Sequence, residues 1–173
     1  MSHTFKIYFI NFAKLLVLLV VIFALPYFIQ ISVWKINKAL ADQTPSSFSG
    51  YAWSDNIGWV SLSGFNYGLS FDTNKKLSGY AWSDNIGWIT ANESELDDCP
   101  SNPCRAKIQN GQLTGWLKAL AGGTSQSGGW DGWISLSGQG YGVTQNGSAL
   151  SGYALGGDVV GWLDFSYASA PVT

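Results

Sequence analysis

Four carboxylates lie together at Glu93, Glu95, Asp97 and Asp98, immediately before Cys99-Pro-Ser-Asn-Pro-Cys104. Two such acids could act as general acid and base for glycoside hydrolysis. Asp97 and Asp98 could instead lend oxygen to a Ca²⁺ ion, although a Ca²⁺ site needs several oxygens converging. A solvated acidic insertion needs neither chemistry and is the commoner outcome. The only histidine is His3, so Ser-His-Asp and Cys-His mechanisms lack their base in the rest of the chain. The cysteine pair reads as a local disulfide, Cys99 to Cys104, pinning the insertion. A metal or redox reading is weaker, because two ligands do not make a zinc site and redox pairs are usually C-x-x-C. The expectation is a protein that is not an enzyme, with no catalytic residue and no cofactor.

A second set recurs along the chain. An aspartate stands shortly before each Gly-Trp: Asp55, Asp84, Asp131 and Asp158. A ring of carboxylates is one reading; Asp-Asn turn chemistry, with side chains bonding their own backbone, is the simpler one. Aromatic residues are the remaining binding candidates, because sugars stack on ring faces. Tyr51, Trp53, Tyr80, Trp82, Trp116 and Trp130 are taken as the ligand-binding candidates, against the reading that these rings are ordinary strand and core residues.

These residues are held by a self-similar chain. Ser49 to Trp59 reads SGYAWSDNIGW, and Ser78 to Trp88 repeats it letter for letter. Weaker copies start at Leu113 and Leu150. Such self-similarity is the signature of repeat architecture. The first copy reads as strand, Asp-Asn turn, strand, loop, strand, a three-stranded unit that the later copies vary. Asn110-Gly111 and Asn146-Gly147 supply hairpin signals between copies. The expected fold is all-β: an antiparallel meander of four roughly three-stranded repeats, forming a solenoid, barrel or propeller-like body, over residues 48–76, 77–112, 113–149 and 150–173. The third strand of each repeat should pair with the first strand of the next. Trp59, Trp88, Trp133 and Trp162 occupy one equivalent position and are expected to stack as the repeat core. An open array would leave strand edges near Phe48 and Phe165 for pairing with another chain, which makes a homo-oligomer or filament one expectation.

Composition divides the chain near Asp42. Leu15 to Trp34 carries no charge over 20 residues, long enough as a helix to span about 30 Å of hydrocarbon. Ala39-Leu40-Ala41 follows and fits a signal-peptidase site. Residues 1–41 therefore read either as a cleaved signal peptide or as a retained membrane anchor whose span is 15–34. Residues 42–47 read as a polar linker. Both readings export the remainder to the cell surface or beyond. From Asp42 onward five basic residues face eleven acidic ones, a net charge of −6, which disfavours nucleic acid as a partner.

The pattern L-S-G-Y-A-W-S-D-N-I-G-W, carried strongly by the first two copies (with Phe48 for the leucine in the first) and partly by the others, resembles the GYAWS-x-NIGW repeats of predicted secreted and surface proteins in small-genome, candidate-phylum bacteria. That resemblance implies export and repeat architecture. Asn110 to Trp116 is also similar to a segment of choline-binding, cell-wall-binding hairpin repeats. The functional expectation is an exported structural or adhesive protein of the cell surface, contacting protein or glycan. The alternative is a carbohydrate- or cell-wall-binding module.

Overall fold

A computed structural model describes residues 46–172. The signal or anchor reading of residues 1–41 lies outside the described residues. No helix among the described residues is long and apolar enough to cross a membrane.

β1 (Ser46–Ser47) precedes the first copy, which supplies β2 (Ser49–Ser54), β3 (Gly58–Ser61) and β4 (Leu69–Phe71). β5 (Leu77–Ser83), β6 (Gly87–Thr90) and β7 (Lys107–Gln109) follow. Next come β8 (Gln112–Thr114), β9 (Trp116–Ala119), β10 (Trp133–Ser135), β11 (Ser137–Gly138) and β12 (Tyr141–Asn146). The chain finishes with β13 (Ala149–Leu155), a one-turn helix α1 (Gly157–Val160), β14 (Trp162–Asp164) and β15 (Ala168–Ser169).

The protein is all-β, and of the forms open to the sequence it adopts the barrel. Eight antiparallel strands close in the order β2, β3, β5, β6, β9, β10, β13, β14 and back to β2. The extra strands fit between the same neighbours at the other end. β4 lies between β1 and β5. β7 pairs with β8 and bridges Lys76 from Lys107. β12 pairs with β8 and β13, and β15 with β13 and β2. β2, which follows Phe48, and β14, which precedes Phe165, are each paired on both sides within the barrel. Two of the six supposed linker residues, Ser46 and Ser47, are already strand.

One glycine per copy makes this exchange of neighbours work. Gly50, Gly79, Gly115 and Gly152 have φ of 80°, 94°, 89° and 86°. Before this glycine the strand pairs with a third strand; after it, with a Trp-bearing strand. A neighbouring carbonyl oxygen presses on each Cα, so an added Cβ would lie only 2.4, 2.0, 2.6 and 2.1 Å from the oxygens of Tyr167, Gly68, Arg105 and Gly142. Only glycine accepts both the positive φ and the approach.

The interior of an eight-stranded barrel is just wide enough to be filled by side chains. Here small residues face larger aliphatic ones across the pairs: Ala52 opposite Val60, Ala81 opposite Ile89, Ala154 opposite Leu163, all buried. Phe48, Phe165, Leu62 and Leu69 fill the rest with their neighbours. At the turn end Ile57 and Val160 are buried and Ile86 and Trp130 pack against the core.

This register corrects the expected Trp ladder. Trp59, Trp88 and Trp162 are 49%, 41% and 51% exposed, and only Trp133 is buried. Side chains alternate along a strand, so the residue after each Trp (Val60, Ile89, Ile134 and Leu163) takes the inward place. Trp59, Trp88 and Trp162 stand on the outer surface, and Trp133 lies under the Lys118 ammonium.

Candidate functional site

Each outward indole is the centre of a cluster built across strands. Trp59 meets Trp53 at 4.7 Å, Tyr167 at 5.2 Å and Tyr51 at 5.9 Å between ring centroids. Trp88 meets Trp82 at 4.7 Å, Tyr67 at 5.2 Å and Tyr80 at 6.0 Å. Trp162 meets Tyr141 at 5.2 Å and Tyr153 at 6.3 Å. All are edge-to-face contacts, the arrangement that ring quadrupoles favour. Tyr67 arrives from the loop after β3, Tyr141 from β12 and Tyr167 from the loop after β14. Each cluster thus ties one sequence copy to the next, and Tyr167 ties the last to the first.

The third copy differs. Trp133 has Trp116 at 6.2 Å and the Lys118 ammonium 4.7 Å above its ring. The Trp116 indole N–H donates to the Ser101 carbonyl at 2.8 Å, so the cystine loop stands where the other clusters receive a tyrosine. The Cys99–Cys104 disulfide is formed, with Cα atoms 5.4 Å apart.

Of the six sequence candidates, Tyr51, Trp53, Tyr80, Trp82 and Trp116 all belong to these outer clusters. Trp130 does not. It packs against the core at the turn end, as Ile86 does in the second copy. The sequence reading assigned Trp59, Trp88 and Trp162 to the core and so missed the most exposed indoles. The signal that locates them is the strict alternation with the β-branched or leucine residue that follows.

The turn acids are structural in the first two copies. Asp55 accepts the Trp53 indole N–H at 3.0 Å, and Asp84 that of Trp82 at 2.8 Å. Asp131 accepts the Trp133 backbone N–H at 3.1 Å. The adjacent asparagines lean sideways: the Asn85 amide donates to the Ile57 carbonyl and the Asn56 amide to the Asp158 carbonyl. The Asp158 carboxylate takes no such bond.

Glu93 and Glu95 are spent on holding the insertion. Glu95 accepts from the Thr90 hydroxyl at 2.5 Å and the Asn92 amide at 3.2 Å. Those bonds, with one from Tyr80, hold its carboxyl below the ordinary glutamate range against the opposing effect of burial. A general acid needs the opposite shift. Arg105 pairs with Asp72 at 3.1 Å and with Glu93, clamping the insertion to the β4–β5 turn. Asp72 is held low chiefly by the Lys76 backbone N–H, with further help from the Asn74 N–H and Arg105. Asp97 and Asp98 are exposed. Among the described residues no three of His, Cys, Asp and Glu gather into a metal-binding group.

Comparison with protein-family models, curated proteins and solved structures finds no match. The geometry alone carries the functional reading.

Proposed function

We propose that this is a non-catalytic contact module of an exported, cell-surface protein, built from four three-stranded repeats. The carrying observation is the outward placement of Trp59, Trp88 and Trp162 on a barrel whose interior is filled by its own side chains. Large rings lose little conformational entropy when buried by a partner, which is why they dominate contact surfaces. The repeat reading is supported by the recurrence of the positive-φ glycine and of the Trp-centred cluster. The test is retention of the full-length chain on isolated bacterial envelopes. A Trp59→Ser/Trp88→Ser double variant with an unchanged circular dichroism spectrum should lose most of that retention. Equal retention sinks the proposal.

A second reading, a glycan-binding module, is favoured by one observation. Exposed Trp59 and Trp88 each pack on an indole, Trp53 or Trp82, whose N–H is held by a turn carboxylate, Asp55 or Asp84, so polar groups lie one ring away from an exposed one. Ring face plus a few polar groups is the usual composition of a ligand site. Quenching or shift of tryptophan fluorescence by oligosaccharides tests it, and silence across a glycan array overturns it.

A further inference from the structure

The position directly opposite the Trp of each cluster is the informative one. It holds Trp53 opposite Trp59, Trp82 opposite Trp88, Lys118 opposite Trp133 and Leu155 opposite Trp162. In the first two copies an indole fills the space beside the exposed Trp and gives its N–H to the turn aspartate. In the third, Lys118 covers the ring. Only in the last copy is the side chain short. There the surface opens into a groove of about 500 Å³ walled by Asp55, Asn56, Leu155, Asp158, Gly161 and Trp162. Its volume falls within the roughly 300–1,000 Å³ of small-molecule sites.

The groove is shaped for a ring. Trp162 is half exposed on one side. Gly161 has φ of 64°, and a Cβ there would lie 2.9 Å from the Asn56 amide nitrogen, so the backbone keeps the floor clear. The exposed Asp158 carboxylate takes no donor among the described residues, whereas Asp55 and Asp84 each accept an indole N–H and Asp131 a backbone N–H. Asp55 adds a second carboxylate, and none of the described cations (Lys75, Lys76, Arg105, Lys107, Lys118) lines the groove.

We infer that this groove binds a neutral pyranose ring, stacked on Trp162 and giving its hydroxyl protons to Asp158 and Asp55. The inference rests on the glycan reading above and narrows it to one site and one sugar class. A pyranose offers an apolar C–H face to the indole and several donors at its rim. Two carboxylates without a cation repel a uronic acid. An indole from another protein offers the stacking face but a single donor.

The experiment uses the full-length chain, ¹⁵N-labelled at tryptophan, in a non-glycosidic detergent. Cello-oligosaccharide, chito-oligosaccharide and oligogalacturonate are titrated while the indole N–H resonances are followed. At least one neutral oligosaccharide should shift Trp162 saturably, and oligogalacturonate should not. Leu155→Trp restores the residue of the first two copies, closes the groove and should weaken the Trp162 shift at least tenfold. Asp158→Asn, a second variant that leaves the packing alone, should weaken it severalfold. Wild-type binding by both variants, or equal binding of oligogalacturonate, overturns the inference. Shifts at Trp59 and Trp88 with Trp162 unmoved overturn the groove and leave the glycan reading standing. Shifts at no indole remove both.

Discussion

Gly152→Ala is the substitution that most directly tests how the barrel is built. Gly152 sits at φ 86°, and a Cβ placed on it would lie 2.1 Å from the Gly142 carbonyl oxygen. Two penalties follow. A left-handed conformation costs a non-glycine residue about 1–2 kcal/mol. The contact adds more, because the neighbour is backbone at the point where β12 enters its ladder with β13 and has no flexible end to give way. A total of about 3–5 kcal/mol is expected, the upper range for single substitutions. Gly140→Ala is the matched control, with φ of 84° and nothing within 4 Å of the added Cβ. It should lose only the conformational share, about 1–2 kcal/mol. Urea titration of the full-length chain by tryptophan fluorescence reads both. In melting temperature each kcal/mol is worth roughly 3–5 °C for a body of this size, so Gly152→Ala should fall about twice as far as Gly140→Ala or more. Equal losses would refute the claim that carbonyl approach, and not φ alone, demands glycine.

Three further outcomes follow from the register and the buried bonds. Ile89→Ala should cost about 2–4 kcal/mol by urea titration, whereas Trp88→Ser, outside the barrel, should cost distinctly less; the reverse order would put Trp88 back in the core. Ser54 is buried, donates to the Val160 carbonyl at 2.6 Å and accepts from the Asn56 and Ile57 N–H groups, so Ser54→Ala should lose about 1–3 kcal/mol in the same assay. Glu95 has its pKa lowered in the folded state, so its contribution is present above the ordinary glutamate range and is lost as pH falls through the depressed value. The stability difference between wild type and Glu95→Gln should therefore be flat from neutral pH down to about 4.5, the ordinary glutamate range, and shrink below it; a difference that shrinks towards alkaline pH contradicts the assignment.

Much of the fold was legible from local chemistry. Asp-Asn and Asn-Gly pairs mark turns because their side chains and backbones tolerate tight, left-handed geometry. Alternation marks the strands, and the spacing of the cysteines marked the disulfide that forms. In Leu77–Ser83 alternation sets Leu77, Gly79 and Ala81 against Ser78, Tyr80 and Trp82, and Leu77 and Ala81 are the buried ones. It did not say which face of the following strand was inside. Hydrophobicity argued for Trp88, but Ile89 is the residue that is buried. The deciding quantity is room: opposite Ala81, an eight-stranded barrel holds an isoleucine and has no space for a ring of indoles.

By itself the sequence determined the strands, the turns, the all-β class and the places where the copies differ, because each is set by backbone preferences within a few residues. Closure was decided only in three dimensions. Whether β14 and β15 return to β2 depends on the accumulated twist and curvature of the sheet, which no window of sequence contains. Closure then fixed the rest: a narrow interior filled by Ala, Val, Ile and Leu with Phe48, Phe71 and Phe165, and an outer face left to Trp and Tyr. On that face Leu155 became a groove wall, since the meaning of a short side chain depends on the ring it stands opposite.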